Sequence, residues 1–360
     1  MAMLAVQADH RQARNRIKLA ISTGQTLNII GHPGIGKTEL SIAVAESVEY
    51  FPLVVRVPDY DAIDAKGMPY RLELVGGTTV TAYAAPAWFP RVGCGRVVIV
   101  LDDFAQASPS VQPAWARFMH EGILGEHKLP GFRKADDNGD HCVILMTCNP
   151  HTDRAASHRL PTYVANRPSH ITLQYNDDEE GVAEHVGQWS TWANANDVDP
   201  RVVSYVQFKN EDFYRFDPKQ VEYAYPTARS WVAVSNDIKG LQSSDEEFLA
   251  LVAGSWVGEG VGISFGGFCK SLELLPDVDD ILSGKHTDVP VGAGLQYALV
   301  NFLSRRADEK NVEAIWTYLS GFDEDFQFLW YKTVGARKSF DISQTQVGVE
   351  AVVKFGDLLL

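Results

Sequence analysis

Three short groups of residues have the types and spacing that phosphoryl transfer requires. The first is Gly31-His32-Pro33-Gly34-Ile35-Gly36-Lys37-Thr38, which satisfies G-x-x-x-x-G-K-[ST] in full. Glycines there let the chain turn where a Cβ would block a ligand, so successive backbone N–H groups can face inward and cradle phosphate oxygens. Lys37 would bridge the outer phosphates, and the Thr38 hydroxyl would take Mg²⁺. The second group is Asp102-Asp103, where Asp102 would hold Mg²⁺ through its water shell and Asp103 would orient or deprotonate the attacking water. The third is Asn149, whose amide can bond both the γ-phosphate and that water without adding charge; taken alone, Asn149-Pro150 reads equally as a turn.

These groups need rigid elements to aim them, and the flanking sequence supplies candidates. Leu27 to Ile30 is an apolar run suited to a buried strand, and Thr38 to Ala45 reads as a helix, which places the glycine loop at a positive helix end. Arg96 to Leu101 and Cys142 to Thr147 are continuous apolar strands that deliver Asp102-Asp103 and Asn149 at their carboxyl ends, the edge where open α/β sheets bind ligands. Leu53 to Val57 and His170 to Leu173 complete the strand set, and Ala8 to Ile21 has helical spacing with Gly24 as its stop. Arg11, Arg14, Arg16 and Lys18 on that helix read as a solvated face, or as one lying near the nucleotide.

Pro58 to Gly95 is too long for a simple connection. Within it, Arg71 to Leu74 and Thr79 to Tyr83 flank Gly76-Gly77 as a hairpin would. Trp88 and Phe89, between Pro86 and Pro90, either pack under a loop or are displayed for binding. Ser108-Pro109 has the form of an N-cap and first-turn proline opening a helix through Met119. Arg154, Arg159 and Arg167 follow the sheet, where a guanidinium either reaches a phosphate across a subunit boundary or makes surface ion pairs. His151, His158 and His170 lack metal-ligand spacing.

Beyond Tyr175 the patterning is helical. Asp177-Asp178-Glu179-Glu180 reads as a helix start, followed by Val182, Val186, Trp189 and Ala193 on one face. Phe248, Leu251, Val252 and Ser255 form another face. Tyr225 to Trp231 starts a helix with Arg229 in its first turn, a cation that opposes the helix dipole and so calls for a negative partner elsewhere. Gly258 to Gly267 reads as a hinge or connection, and helices are expected around Leu295 to Leu303, Val312 to Leu319 and Phe326 to Tyr331.

Composition narrows the classes. The 360 residues are 45% hydrophobic, enough for two or three packed units. No window approaches the roughly 20 uncharged apolar residues of a membrane helix, and Met1 to Arg16 is too polar and too basic for a signal peptide's apolar core. A cytoplasmic protein is expected. Cys94, Cys142, Cys148 and Cys269 show no C-x-x-C pairing, in keeping with a reducing compartment and packing roles for Cys142 and Cys148. A net charge of −14 weighs against broad nucleic-acid binding, though a local basic channel stays open.

Taken together, Gly31 to Thr38, Val97 to Asp103, Asn149, Arg167 and Tyr225 to Trp231 resemble the MoxR family of AAA+ ATPases, in particular its phage and prophage forms. The resemblance spans roughly residues 10 to 265 and rests on motif order. Leu101 to Pro109 resembles that family's Walker B strand running into its next helix, Pro86 to Pro90 its helix-2 insert, and Leu160 to Arg167 its arginine-finger segment. It implies an α/β AAA+ P-loop core of parallel sheet flanked by helices over 1–175, with the hairpin insert at about 58–95. A helical lid over 176–265 and a helical extension over 266–360 would follow. The implied ligands are ATP, held by Gly31, His32, Pro33, Gly34, Ile35, Gly36, Lys37, Thr38, Glu39 and Asp102, and Mg²⁺ on Thr38 and Asp102. Asp103 and Asn149 (sensor 1), Arg167 (a finger acting in trans) and Arg229 (sensor 2) are the implied catalytic set.

The family further implies a ring, usually a hexamer, that remodels a protein client and often works with a von Willebrand factor A protein. No D-x-S-x-S motif is present, so that partner would be a separate chain. One departure stands out: the usual Walker B glutamate is Asp103, whose carboxylate sits about 1.5 Å further back. The leading expectation is therefore a Mg²⁺-dependent ring ATPase acting on a protein partner. The alternatives are a slowly hydrolysing nucleotide-gated scaffold and, against the acidic charge, a nucleic-acid motor.

Overall fold

The computed structural model describes residues 5–153, 156–175, 179–219, 222–241, 245–337 and 339–359. Strands in chain order are β1 (Val6–Ala8), β2 (Leu27–Ile30), β3 (Phe51–Arg56), β4 (Met68–Glu73), β5 (Thr79–Ala84), β6 (Arg96–Asp102), β7 (Ile123–Leu124), β8 (His127–Lys128), β9 (His141–Cys148) and β10 (Ser169–Leu173). Six of them form one sheet in the order β1-β10-β2-β9-β6-β3, and every neighbouring pair is parallel. Contacts divide the chain into two compact units, Met1–Asn176 with Asp217–Lys219, and Asp177–Phe216 with Gln220–Leu360.

Parallel strands require crossover connections, and helices provide them. The helix Lys37–Ser47 leaves the glycine loop after β2 and packs against β3, β6 and β9. Burial on both faces explains why β6 and β9 read as unbroken apolar runs rather than alternating ones. Val97, Ile99 and Leu101 of β6 share one core with Cys142, Ile144 and Met146 of β9 and with Trp115 and Phe118 of the helix Gln112–Glu121. Trp88 joins it, stacked on Trp115 with ring centroids 5.9 Å apart, and Phe89 is buried beside it. Those aromatics therefore pack under the loop. The hairpin appears as the antiparallel pair β4–β5, with β4 exposed along its whole length.

With the parallel sheet, flanking helices and a helical region after it, the fold is an α/β P-loop ATPase fold of the AAA+ type, as the sequence leads one to expect. Local expectations fared less evenly. Ser108-Pro109 does not open the helix, which starts at Gln112 with Pro113 in its first turn. The Ser108 hydroxyl bonds Ser110 Oγ instead of capping, and the Ser108 carbonyl accepts from Val111 and Gln112 in a turn that ends first. The first helix runs His10–Thr23 behind the cap Asp9, because Ala8 belongs to β1, a strand too short for its pattern to show.

In the second unit, Val186, Trp189 and Ala193 of the helix Glu179–Ala195 are buried as their spacing predicts, while Val182 on the same expected face is half-buried; Asp177 and Asp178 lie outside the described residues. Two readings there are overturned. The helix Glu246–Val257 buries Leu249, Ala253 and Val257, while Phe248 and Leu251 are 45% and 71% exposed. Of Gly258 to Gly267 only Gly258 is a connection, joining two helices; Glu259 to Gly267 belong to the helix Glu259–Ser271. Its glycines serve packing: a Cβ on Gly262 would lie 2.4 Å from the Gly254 nitrogen, and one on Gly266 would lie 2.5 Å from the Glu246 carbonyl oxygen. Only glycine lets two helix backbones approach that closely. Helices also form at Ala293–Arg306, Val312–Leu319 and Glu324–Gly335, where they are expected, and at Gln346–Leu359. No helix among the described residues is long and apolar enough to cross a membrane.

Candidate nucleotide-binding site

Sheet order assembles the site. β2, β9 and β6 are consecutive neighbours, so the loop after β2, Asn149 after β9 and Asp102-Asp103 at the end of β6 emerge side by side at one carboxyl edge. The loop turns at Gly34 and Gly36, with φ of 75° and 93° in the left-handed region that a side chain resists. The Gly31 amide stays on the sheet, donating to the Cys148 carbonyl at 3.1 Å, so loop and β9 begin from a shared anchor. Cys148 itself is a packing residue, its thiol pushed up to about 12 by burial.

Lys37 is 7% exposed at the start of its helix. Its ammonium donates to the carbonyls of Gly31 (2.8 Å) and His32 (3.0 Å) and to Asn149 Oδ1 (2.7 Å). Lysine of the loop and the amide that follows β9 therefore address the same point. Beside them, Thr38 Oγ1 donates to Asp102 Oδ1 at 2.6 Å. A hydroxyl and a carboxylate oxygen so placed form a hard-oxygen donor pair of the kind that suits Mg²⁺, so the residues present fit the ion. Ile35 is buried and its carbonyl lies 3.1 Å from His10 Nε2, while Glu39 is exposed on the first turn of the helix.

Two residues that sequence reading overlooked complete the geometry. Thr147, fully buried in β9, donates from Oγ1 to the same Asp102 oxygen at 2.6 Å and accepts from the Asp103 amide at 3.1 Å. It thus fixes both acids at once. Asp103 adopts φ 53°, ψ 33°, a left-handed conformation that aspartate tolerates better than most side chains. The second is Asp153, whose Oδ2 lies 2.7 Å from His32 Nδ1. Thr147 had a readable signal: it stands two residues before Asn149, so a strand turns both toward one face.

Among the described residues, neither Arg159 nor Arg167 hydrogen-bonds this cluster. Arg167 follows the short helix Thr162–Ala165, half-buried, and its Nε has no hydrogen-bond partner among the described residues. Its charge, after those of Arg117 and His120, helps hold the Glu121 carboxyl below its ordinary value. Arg159 is exposed, and Arg154 lies outside the described residues. Arg229 sits exposed in the first turn of the helix Ala228–Ile238 of the second unit, as its position predicts. Arg16 donates to Ser169 Oγ at 2.7 Å, whereas Arg11, Arg14 and Lys18 are solvated.

No protein-family model matches this chain. No curated protein matches it either. Among solved structures it is similar to the RuvB Holliday junction branch migration motor of Thermotoga maritima, at 12% identity over 87% of this chain and 86% of that one, TM-score 0.37. It is also similar to NtrX of Brucella abortus in complex with ATP, at 12% identity over 99% of this chain and 70% of that one, TM-score 0.39. Assignment of the fold therefore rests on the strand order and on the loop between β2 and its helix.

Proposed function

We propose that this chain is an AAA+ ATPase of the MoxR kind that couples Mg²⁺-dependent ATP hydrolysis, in a ring of like subunits, to rearrangement of a protein partner. The observation that carries the reading is the convergence of Lys37 on Asn149 and of Thr38 on Asp102 at one sheet edge. In this reading the amides of Gly31 to Thr38 enclose the phosphates, Lys37 neutralises the outer ones, and Glu39 lies at the margin of the loop. Thr38 and Asp102 hold Mg²⁺, which when bound offsets the charge shared between the β- and γ-phosphates. Asn149 and Asp103 align a water with the γ-phosphorus; the bond to the bridging oxygen breaks as the water's oxygen adds, and the water's proton passes to Asp103 or to solvent.

Arg167 is assigned to a neighbouring subunit's phosphates, and Arg229 is read as the cation of a helical lid over 176–265, with 266–360 as an extension. A protein client, including a separate von Willebrand factor A chain, fits the net charge of −14 better than nucleic acid does. Steady-state turnover tests the proposal. Hydrolysis well above that of Lys37→Ala, rising per subunit with protein concentration, is expected; turnover equal to that control would sink it. The slow-scaffold reading keeps one supporting observation, the short acid at Asp103, and predicts concentration-dependent assembly with ATP but no such turnover.

A further inference from the structure

We propose that Asp153 is a positioning residue which, through His32, holds the phosphate loop at a set separation from Asn149; this rests on the ATPase reading above. Asp153 has a fully buried side chain, whereas the His32 side chain is 42% exposed, and the two meet at 2.7 Å. A carboxylate removed from water demands a donor. Among the described residues its other oxygen is approached only by Thr152 Oγ1 at 3.4 Å, so the imidazole is its main partner there.

The position of this pair gives it a role beyond stability. His32 is the second residue of the phosphate loop, and its own carbonyl accepts from Lys37 at 3.0 Å. Asp153 closes the single turn His151–Asp153 directly after Asn149-Pro150, and its amide donates to the Pro150 carbonyl at 3.1 Å. Beyond the backbone anchor of Gly31 on Cys148, two side-chain links therefore join loop and sensor strand, one through the Lys37 ammonium and one through His32–Asp153. The acceptors of Lys37 on the Gly31 and His32 carbonyls and on Asn149 are neutral oxygens. Charged phosphate oxygens bind an ammonium more strongly, so Lys37 is the join that yields to nucleotide. His32–Asp153 is the one that persists. It sets how far the γ-phosphate, seated in the loop, stands from the amide that aligns the water, and about 1 Å of misplacement costs rate on the order of a hundredfold.

The test compares kcat, KM for ATP and thermal midpoint in His32→Ala, Asp153→Leu, their double variant and Asp153→Asn, which keeps an acceptor for the imidazole. Each single variant is expected to lose kcat by about tenfold or more, with KM within about threefold. The double variant should lose no more than either single, because the two residues act as one strut. Asp153→Asn should stay within about threefold of the parent in kcat. If Asp153→Leu does not fold, His32→Ala against Asp153→Asn decides. Parental kcat in His32→Ala, losses that multiply in the double variant, or a lowered midpoint without loss of kcat each overturn the assignment. A parent no faster than Lys37→Ala overturns the ATPase reading itself, and this inference with it.

Discussion

Thr147 offers the sharpest test of how the acids are held. Its hydroxyl spends its donor on Asp102 Oδ1 at 2.6 Å and an acceptor site on the Asp103 amide at 3.1 Å, within a fully buried side chain. Thr147→Val keeps the volume and removes both bonds. A hydrogen bond to a charged group is worth about 1.5–3 kcal/mol, and a neutral one about 0.5–1.5 kcal/mol. Allowing for overlap between these terms, the loss is about 2–4 kcal/mol. For a unit of this size that lowers the thermal midpoint by roughly 5–15 °C. Asp103 also loses the contact that pins its left-handed backbone, so turnover per folded molecule should fall by about tenfold or more while ATP affinity stays within about threefold. Thr147→Ser keeps both bonds and should remain near the parent in each respect. Differential scanning fluorimetry with steady-state ATPase assays reads both quantities. A valine variant with parental midpoint and turnover would refute the argument, and a lowered midpoint with parental turnover would refute its positioning half.

Further predictions concern other parts of the chain. Arg167→Ala should spare ATP binding and remove turnover, whereas Arg159→Ala, exposed on the same segment, should leave turnover within about twofold; the reverse pattern in an ATPase assay would reassign the trans-acting cation. Asp140 is held below the ordinary carboxylate range because the Gly93 and Gly95 amides donate to it, both at 2.7 Å. A lowered folded-state pKa means stabilisation that is present above the ordinary aspartate range near about 4 and lost as pH falls through the folded value. Circular-dichroism melts from neutral to acid pH should therefore show a decline in the parent that is shallower in Asp140→Asn. Gly262→Ala, driving a Cβ into the Gly254 backbone, should cost about 1–3 kcal/mol. Gly267→Ala meets only ordinary contact and should gain about 0.5–1 kcal/mol, both read from thermal unfolding.

The meeting of Lys37 with Asn149 and of Thr38 with Asp102 at one sheet edge was legible because its signals are local. A glycine loop between an apolar run and a helix, and acids or an amide directly after apolar runs, are contiguous features whose geometry follows from backbone sterics and strand burial. Lys37, Thr38, Asp102, Asp103 and Asn149 were therefore identifiable from sequence, and so was the helical character beyond Tyr175. What only the tertiary structure decided was everything that depends on distant partners. β1 exists because β10 offers it an edge. Gly262 and Gly266 sit inside a helix because a second helix lies against them, where local composition reads as a hinge or connection. Phe248 faces outward because neighbouring helices claim the other face. Thr147 and Asp153 acquire roles only when the sheet brings them to Asp102 and His32, across 45 and 121 residues of chain. Periodicity records which residues prefer burial; it carries no information about what they are buried against, and that choice belongs to the folded whole.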